Sequence, residues 1–119
     1  MLFTEGIPIV YYGTEQGFDG GNDPDNRAPL WTTKFDEESE LYKFVKQVVS
    51  IRKEYKVWGL DQTERWVEDN LYAFSRGDVF VATTNQVDEE VHIQVTFHPY
   101  SKGQKVCNQL YAGDCTTIS

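Results

Sequence analysis

The residues Ile7-Pro8-Ile9-Val10-Tyr11-Tyr12 form a run without a charged or strongly polar side chain, and it opens directly into a long loop of glycines, acids and asparagines, Gly13 to Trp31. A strand with one wet face alternates apolar and polar residues, whereas a strand covered on both faces does not. The run therefore predicts an interior strand of a parallel sheet flanked by helices. Such a strand needs hydrogen-bonded neighbours on each edge, and the rest of the sequence contains no second run of this kind to supply them. The segment calls for completion by residues other than these.

A helix comes next. Asp36 is the N-cap candidate, Glu37 and Glu38 place acids in the first turn, and Leu41, Phe44, Val45, Val48, Arg52 and Tyr55 recur at helical spacing. From Gln62 the period changes to two. Glu64–Glu68, Leu71–Arg76, Val79–Thr84, Val91–Phe97 and Lys105–Tyr111 read as short strands, separated by turn pairs such as Asp69-Asn70, Gly77-Asp78 and Lys102-Gly103. In the fourth run Val91, Ile93, Val95 and Phe97 point one way, and His92, Gln94, Thr96 and His98 the other. The fold class is α/β plus all-β, with one strand–loop–helix unit over residues 1–58 and an antiparallel β module over residues 59–119. A further strand begins at Cys115, and the expectation is that both ends of the chain are cut.

The composition bounds the function. A hydrophobic fraction of 39% with 14% aromatic residues describes a globular chain, even at a formal net charge of −8. The acidity and the scatter of the 11 basic residues exclude nucleic acid and anionic membrane as partners and favour neutral ones. No stretch approaches the ~18 apolar residues of a membrane span, and Met1 to Glu5 has neither the basic region nor the cleavage site of a signal peptide. Cys107 and Cys115 flank a turn signal at Ala112-Gly113-Asp114. A hairpin disulfide, two buried free thiols and a zinc pair without further ligands are the three readings; a bridge would stabilise by roughly 2–3 kcal/mol and imply an oxidising compartment. His92 and His98 are six residues apart on one strand face, about 20 Å by the strand rise, too far to share a metal.

Three stretches carry a resemblance. "EGIPIVYYGTEQ", "GGNDPDNRAPLW" and "SELYKFVKQVVSIRKEY" together are similar to the end of the catalytic barrel in secreted α-amylases of the fungal type. The likeness covers the last strand, loop and helix of a (β/α)8 barrel over about the first 55 residues, and Gln62 to Ser119 resembles part of the β-sandwich domain that follows it. It implies a fragment of a secreted, monomeric, endo-acting enzyme that hydrolyses internal α-1,4-glucosidic bonds of starch or glycogen with retention. Its partner is an α-glucan polysaccharide or a maltooligosaccharide. In such a barrel the loop after the strand walls the cleft. By the resemblance Asp23 and Arg27 contact glucose units, while Gly13 and Glu15 belong to the framework beside them.

The catalytic carboxylates and the ligands of a structural calcium precede this region in the family, so none is expected here and the chain alone should be inactive. The residues also allow plainer roles. Asp23 can cap its own turn, Arg27 can pair with Asp19 or Asp25, and Trp31, Trp58 and Trp66 fit core or inter-domain packing. The competing classes are a non-catalytic carbohydrate-binding or interaction module and a fragment of a maltase-like α-glucosidase.

Overall fold

A computed structural model describes residues 1–119. Glu40–Glu54 form helix α1, followed by strands β1 (Gln62–Glu68), β2 (Leu71–Arg76), β3 (Val79–Thr84), β4 (Lys105–Cys107) and β5 (Cys115–Thr117). Single turns of 3-10 helix at Thr14–Gln16, Asp25–Arg27, Leu30–Thr33 and Val57–Gly59 shape the segments before and after α1.

The helix starts later than the acids suggest. Asp36 Oδ1 accepts the Glu38 N–H at 2.9 Å, closing a local turn, and the N-cap of α1 is Ser39. Ser39 gives its hydroxyl to the Glu15 carbonyl at 3.0 Å rather than to the helix, which ties the start of α1 to the loop before it. Val48 and Ile51 are buried on one side of α1, but Leu41 and Phe44 from the same apolar stripe stay exposed.

β1, β2 and β3 form an antiparallel sheet with β2 in the centre. Ala73, Phe74, Ser75 and Arg76 of β2 are all buried, so this strand is covered on both faces and holds much of the small core. Arg65 is an extra residue in β1 between Glu64 and Trp66, which pair with Phe74 and Ala73. This bulge bends the strand and re-aims Arg65 so that its Nε donates to Ser75 Oγ at 2.9 Å and its guanidinium lies 4.5 Å from the Phe97 ring centroid.

Arginines fasten the first residues to the rest. Arg52 Nη1 donates to the Leu2 carbonyl at 2.5 Å, and Arg76 reaches the carbonyls of Leu60 at 2.6 Å and Phe3 at 3.1 Å. Glu5 and Gln62 exchange two hydrogen bonds, each from one residue's backbone N–H to the other's side chain at 3.0 Å.

β4 and β5 make a separate two-stranded hairpin in which Cys107 faces Cys115, and these two form a disulfide. The pair sits at a position without mutual backbone hydrogen bonds, where facing Cα atoms approach most closely; here they are 4.0 Å apart. The bridge replaces the free-thiol and zinc readings. Because each strand has only three residues, the crosslink carries much of the hairpin's order. Changing both cysteines to serine is expected to cost about 2–3 kcal/mol, measured as a fall in the denaturation midpoint; an unchanged midpoint would show that the hairpin holds without it.

Two expected strands are absent as strands. Ile7 to Tyr12 is extended but unpaired, and Ile7 and Ile9 are 91% and 76% exposed. A strand of the parallel kind has no partner within these residues, so its backbone and both faces remain open. Val91 to Val95 keeps the expected alternation, with Val91, Ile93 and Val95 half-buried and His92 and Gln94 exposed, yet it forms no ladder. The alternation breaks at its end: Phe97 is exposed against Arg65, and His98 turns half-inward with its Nδ1 buried and unpartnered.

Candidate glucan-contacting loop

The loop after Tyr12 is organised from Gly13 outward. Gly13 adopts φ 86°, a left-handed conformation that favours glycine, and a Cβ there would overlap the Phe18 ring. Its carbonyl accepts the N–H groups of Gln16 and Phe18, each at 3.0 Å, and its own N–H donates to Glu15 Oε2 at 3.0 Å. Glu15 thus uses its carboxylate on Gly13 and its carbonyl on Ser39, clamping the start of the loop against the start of α1. Both act as framework.

Further along, the Asn26 N–H donates to the Asn22 carbonyl at 3.2 Å and the Arg27 N–H to the Pro24 carbonyl at 2.9 Å. This turn stacks residues four apart, and Arg27 Nη2 meets Asp23 Oδ2 at 2.8 Å. The partner of Arg27 is therefore Asp23 rather than Asp19 or Asp25. Tyr11 braces the turn from the preceding segment, its hydroxyl donating to the Asn26 carbonyl at 3.2 Å.

The pair lies in the open, with side-chain exposures of 63% for Arg27 and 68% for Asp23. An ion pair so exposed adds about 0–1 kcal/mol to stability, too little to explain why the loop is built to form it. Its chemistry is more telling. A single contact leaves the other guanidinium N–H groups and Asp23 Oδ1 without partners in the chain, so donors and acceptors point outward a few ångströms apart. That arrangement suits neighbouring hydroxyls on a polyol. Around it stand apolar rings: Tyr11 and Tyr12 have centroids 4.8 Å apart, and Trp31 is 71% exposed.

The sequence reading missed these rings, because Tyr11 and Tyr12 were placed in an interior strand and Trp31 in packing. Trp58 is also exposed, whereas Trp66 is half-buried with its Nε1 buried and unpartnered. Asn26, not singled out from sequence, has a buried side-chain oxygen without a partner.

Reaction chemistry is a different matter. Asp19, Asp23 and Asp25 are exposed on one loop, and Asp23 is engaged by Arg27. No group of three His, Cys, Asp or Glu side chains gathers to hold a metal ion, so the residues present do not fit a calcium site. The two displaced ionisations lie elsewhere. The Glu38 carboxylate 2.6 Å from Lys43 raises the ammonium above its ordinary value on the surface of α1. Burial raises the Tyr100 phenol above its ordinary 10.0, and its hydroxyl donates to the Asp78 carbonyl at 2.9 Å.

No family model matches the chain. It is 34% identical over 133 residues to α-amylase 2 of Schwanniomyces occidentalis, a match that takes in 99% of this chain and 26% of that protein. The structure of an α-amylase from Malbranchea cinnamomea superimposes with a TM-score of 0.86 at 27% identity, covering 98% of this chain and 28% of that one. The chain belongs to the α-amylase family. It corresponds to the C-terminal region of these enzymes, a β domain with a remnant of the barrel. A second α-amylase family relative, the cyclomaltodextrin glucanotransferase of Bacillus sp. (strain 1-1), is 40% identical over 77 residues, 64% of this chain and 11% of the relative. The chain spans between a tenth and about a quarter of the length of these two relatives.

Proposed function

We propose that this chain is part of an endo-acting α-amylase that hydrolyses internal α-1,4-glucosidic bonds of starch and glycogen with retention, and that residues 13–31 wall its glucan cleft. The observation that carries the proposal is the exposed Asp23–Arg27 pair, held by its own turn on the loop leaving Tyr12. In a (β/α)8 barrel such a loop lies at the mouth where substrate binds. Asp23 and Arg27 hydrogen-bond glucose hydroxyls, and the exposed tyrosines and Trp31 offer flat faces for the sugar rings. Gly13 and Glu15 hold the loop at its root. Residues 1–58 belong to the barrel and residues 59–119 to the β domain.

Retaining hydrolysis needs a nucleophilic carboxylate and an acid/base carboxyl about 5 Å apart across the scissile bond. Three aspartates on one exposed loop lack the packed shell that fixes such a separation, so the reacting carboxyls belong to the remainder of the protein. This chain supplies binding. Held at a fixed distance from the reacting bond, a glucose unit gripped by Asp23 and Arg27 helps orient the glucan for attack. Any calcium ion is held by residues outside this chain. The disulfide fits an oxidising compartment and supports secretion of a monomeric enzyme.

The test is the product pattern of the full-length protein on soluble starch. Endo-acting retention gives maltose and longer oligosaccharides released first as α-anomers. Glucose alone from the earliest times would favour an α-glucosidase, and cyclic products would favour the glucan-transfer chemistry named for the Bacillus relative.

A further inference from the structure

Away from the loop, the β module contains a slot between two strand edges. β3 is bonded to β2 alone, and β4 to β5 alone. The two-residue loop Gly77-Asp78, with Gly77 at φ 57°, makes Arg76 and Val79 a mutually hydrogen-bonded pair. Counting along β3, Val79, Val81 and Thr83 turn their backbone groups toward β2, and Phe80, Ala82 and Thr84 turn theirs away. The hairpin obeys the same alternation. The Asn108 N–H donates to the Asp114 carbonyl at 2.7 Å and the Ile118 N–H to the Gln104 carbonyl at 3.0 Å, so Lys105 and Cys107 face away from β5.

Both outward edges line one cavity of about 790 Å3, with Ile51 and Tyr55 at the end of α1 also in its wall. Proteins protect edges that face water with charges, prolines or bulges. β3, Val-Phe-Val-Ala-Thr-Thr, has neither charge nor proline, and its register with β2 runs without a bulge. An uncharged edge opposite a second unpaired edge is suited to receiving a strand between them.

We propose that an extended segment from the part of the polypeptide outside these 119 residues inserts between β3 and β4 and joins the two sheets into one. The proposal rests on the α-amylase reading only in taking the chain as part of a longer protein, of which the Schwanniomyces relative suggests about three-quarters lies elsewhere. A segment of the same polypeptide has a high effective concentration at the slot. A second copy is disfavoured, because each chain carries a formal net charge of −8.

Two proline variants of the full-length protein test it. Val81→Pro removes an N–H that faces β2 and lowers Tm in any case. Ala82→Pro removes one that faces the slot, and the proposal predicts a fall in Tm comparable with that of Val81→Pro. A Tm near that of the wild type, as expected of a proline whose missing N–H faced water, would overturn it. A photoreactive benzophenone residue in place of Ala82 identifies the occupant. The expected crosslink is within one chain, to a peptide outside residues 1–119; a crosslink between two chains, to residues 91–97, or to none would overturn the proposal. Starch hydrolysis by the wild-type protein reports separately on the α-amylase reading, so failure of one is distinguishable from failure of the other.

Discussion

Replacing Arg27 by alanine in the full-length protein is expected to lower kcat/KM on long maltooligosaccharides by about 10- to 100-fold, the range for loss of hydrogen bonds from a charged donor. The exposed guanidinium makes a single contact, to Asp23, so stability should change by no more than about 0.5 kcal/mol. Substrates too short to reach this loop should be cleaved nearly as before. Arg27→Lys should recover only part of the loss, since an ammonium keeps the charge but not the planar fork that spans two acceptors. Steady-state kinetics across a ladder of chain lengths, with Tm measured on the same samples, checks all of these. An equal loss on every length, or a loss accompanied by unfolding, would remove Arg27 from the binding surface and leave it a loop fastener.

Arg76→Met should have the largest effect on stability. Arg76 is 3% exposed and has no carboxylate partner; its guanidinium is satisfied by the carbonyls of Leu60 and Phe3. Methionine fills a similar length of side chain but donates nothing, so two charge-assisted hydrogen bonds vanish and two carbonyls lose their donor. Together these changes should cost about 3–5 kcal/mol. The loss should also free the first residues, because Arg76 links Phe3 to the central strand while Arg52 holds Leu2. Denaturant unfolding of the full-length variant measures the first effect, and faster amide exchange over residues 2–5 measures the second. A loss under about 1 kcal/mol would mean that water replaces the guanidinium at both carbonyls.

Local pattern was enough to read the elements that complete themselves within the chain. β2 and β3 have the bounds expected from alternation and their two-residue turn, because a hairpin needs nothing beyond its own residues. The core of α1 was legible for the same reason. Its start was not, since Asp36 spends its carboxylate on a turn before the helix and Ser39 caps without a side-chain bond.

β4 ends at Cys107, well short of Tyr111, because the Asn108 side chain turns the chain by binding the Leu110 N–H and the Asp114 carboxylate, each at 3.0 Å. Ile7–Tyr12 and Val91–Phe97 show the opposite limit. Their side chains have the composition or alternation of strands, but a ladder is a property of two segments, and the partner is not among these residues.

The loop was legible as a site through its motif and only partly through its geometry. Asp23 and Arg27 stand together where sugar contact requires, and the turn from Asn22 to Arg27 explains why they meet. No residue pattern distinguishes Arg27 pairing with Asp23 from pairing with Asp25, since both lie within reach on a flexible loop. The exposure of Trp31, Tyr11 and Tyr12 was equally hidden. Aromatic residues in an apolar run read as core, and only the fold shows that they line the open side.

The most direct test of the central claim is to isolate the native gene product that carries the Gly17–Trp31 loop, using an antibody to that loop, and to measure its intact mass and its action on starch. A mass several times the 13.7 kDa of this chain, with release of α-anomeric oligosaccharides from starch, is the predicted result. A stable product near 13.7 kDa that leaves starch intact would contradict the account and leave a binding module in place of an enzyme.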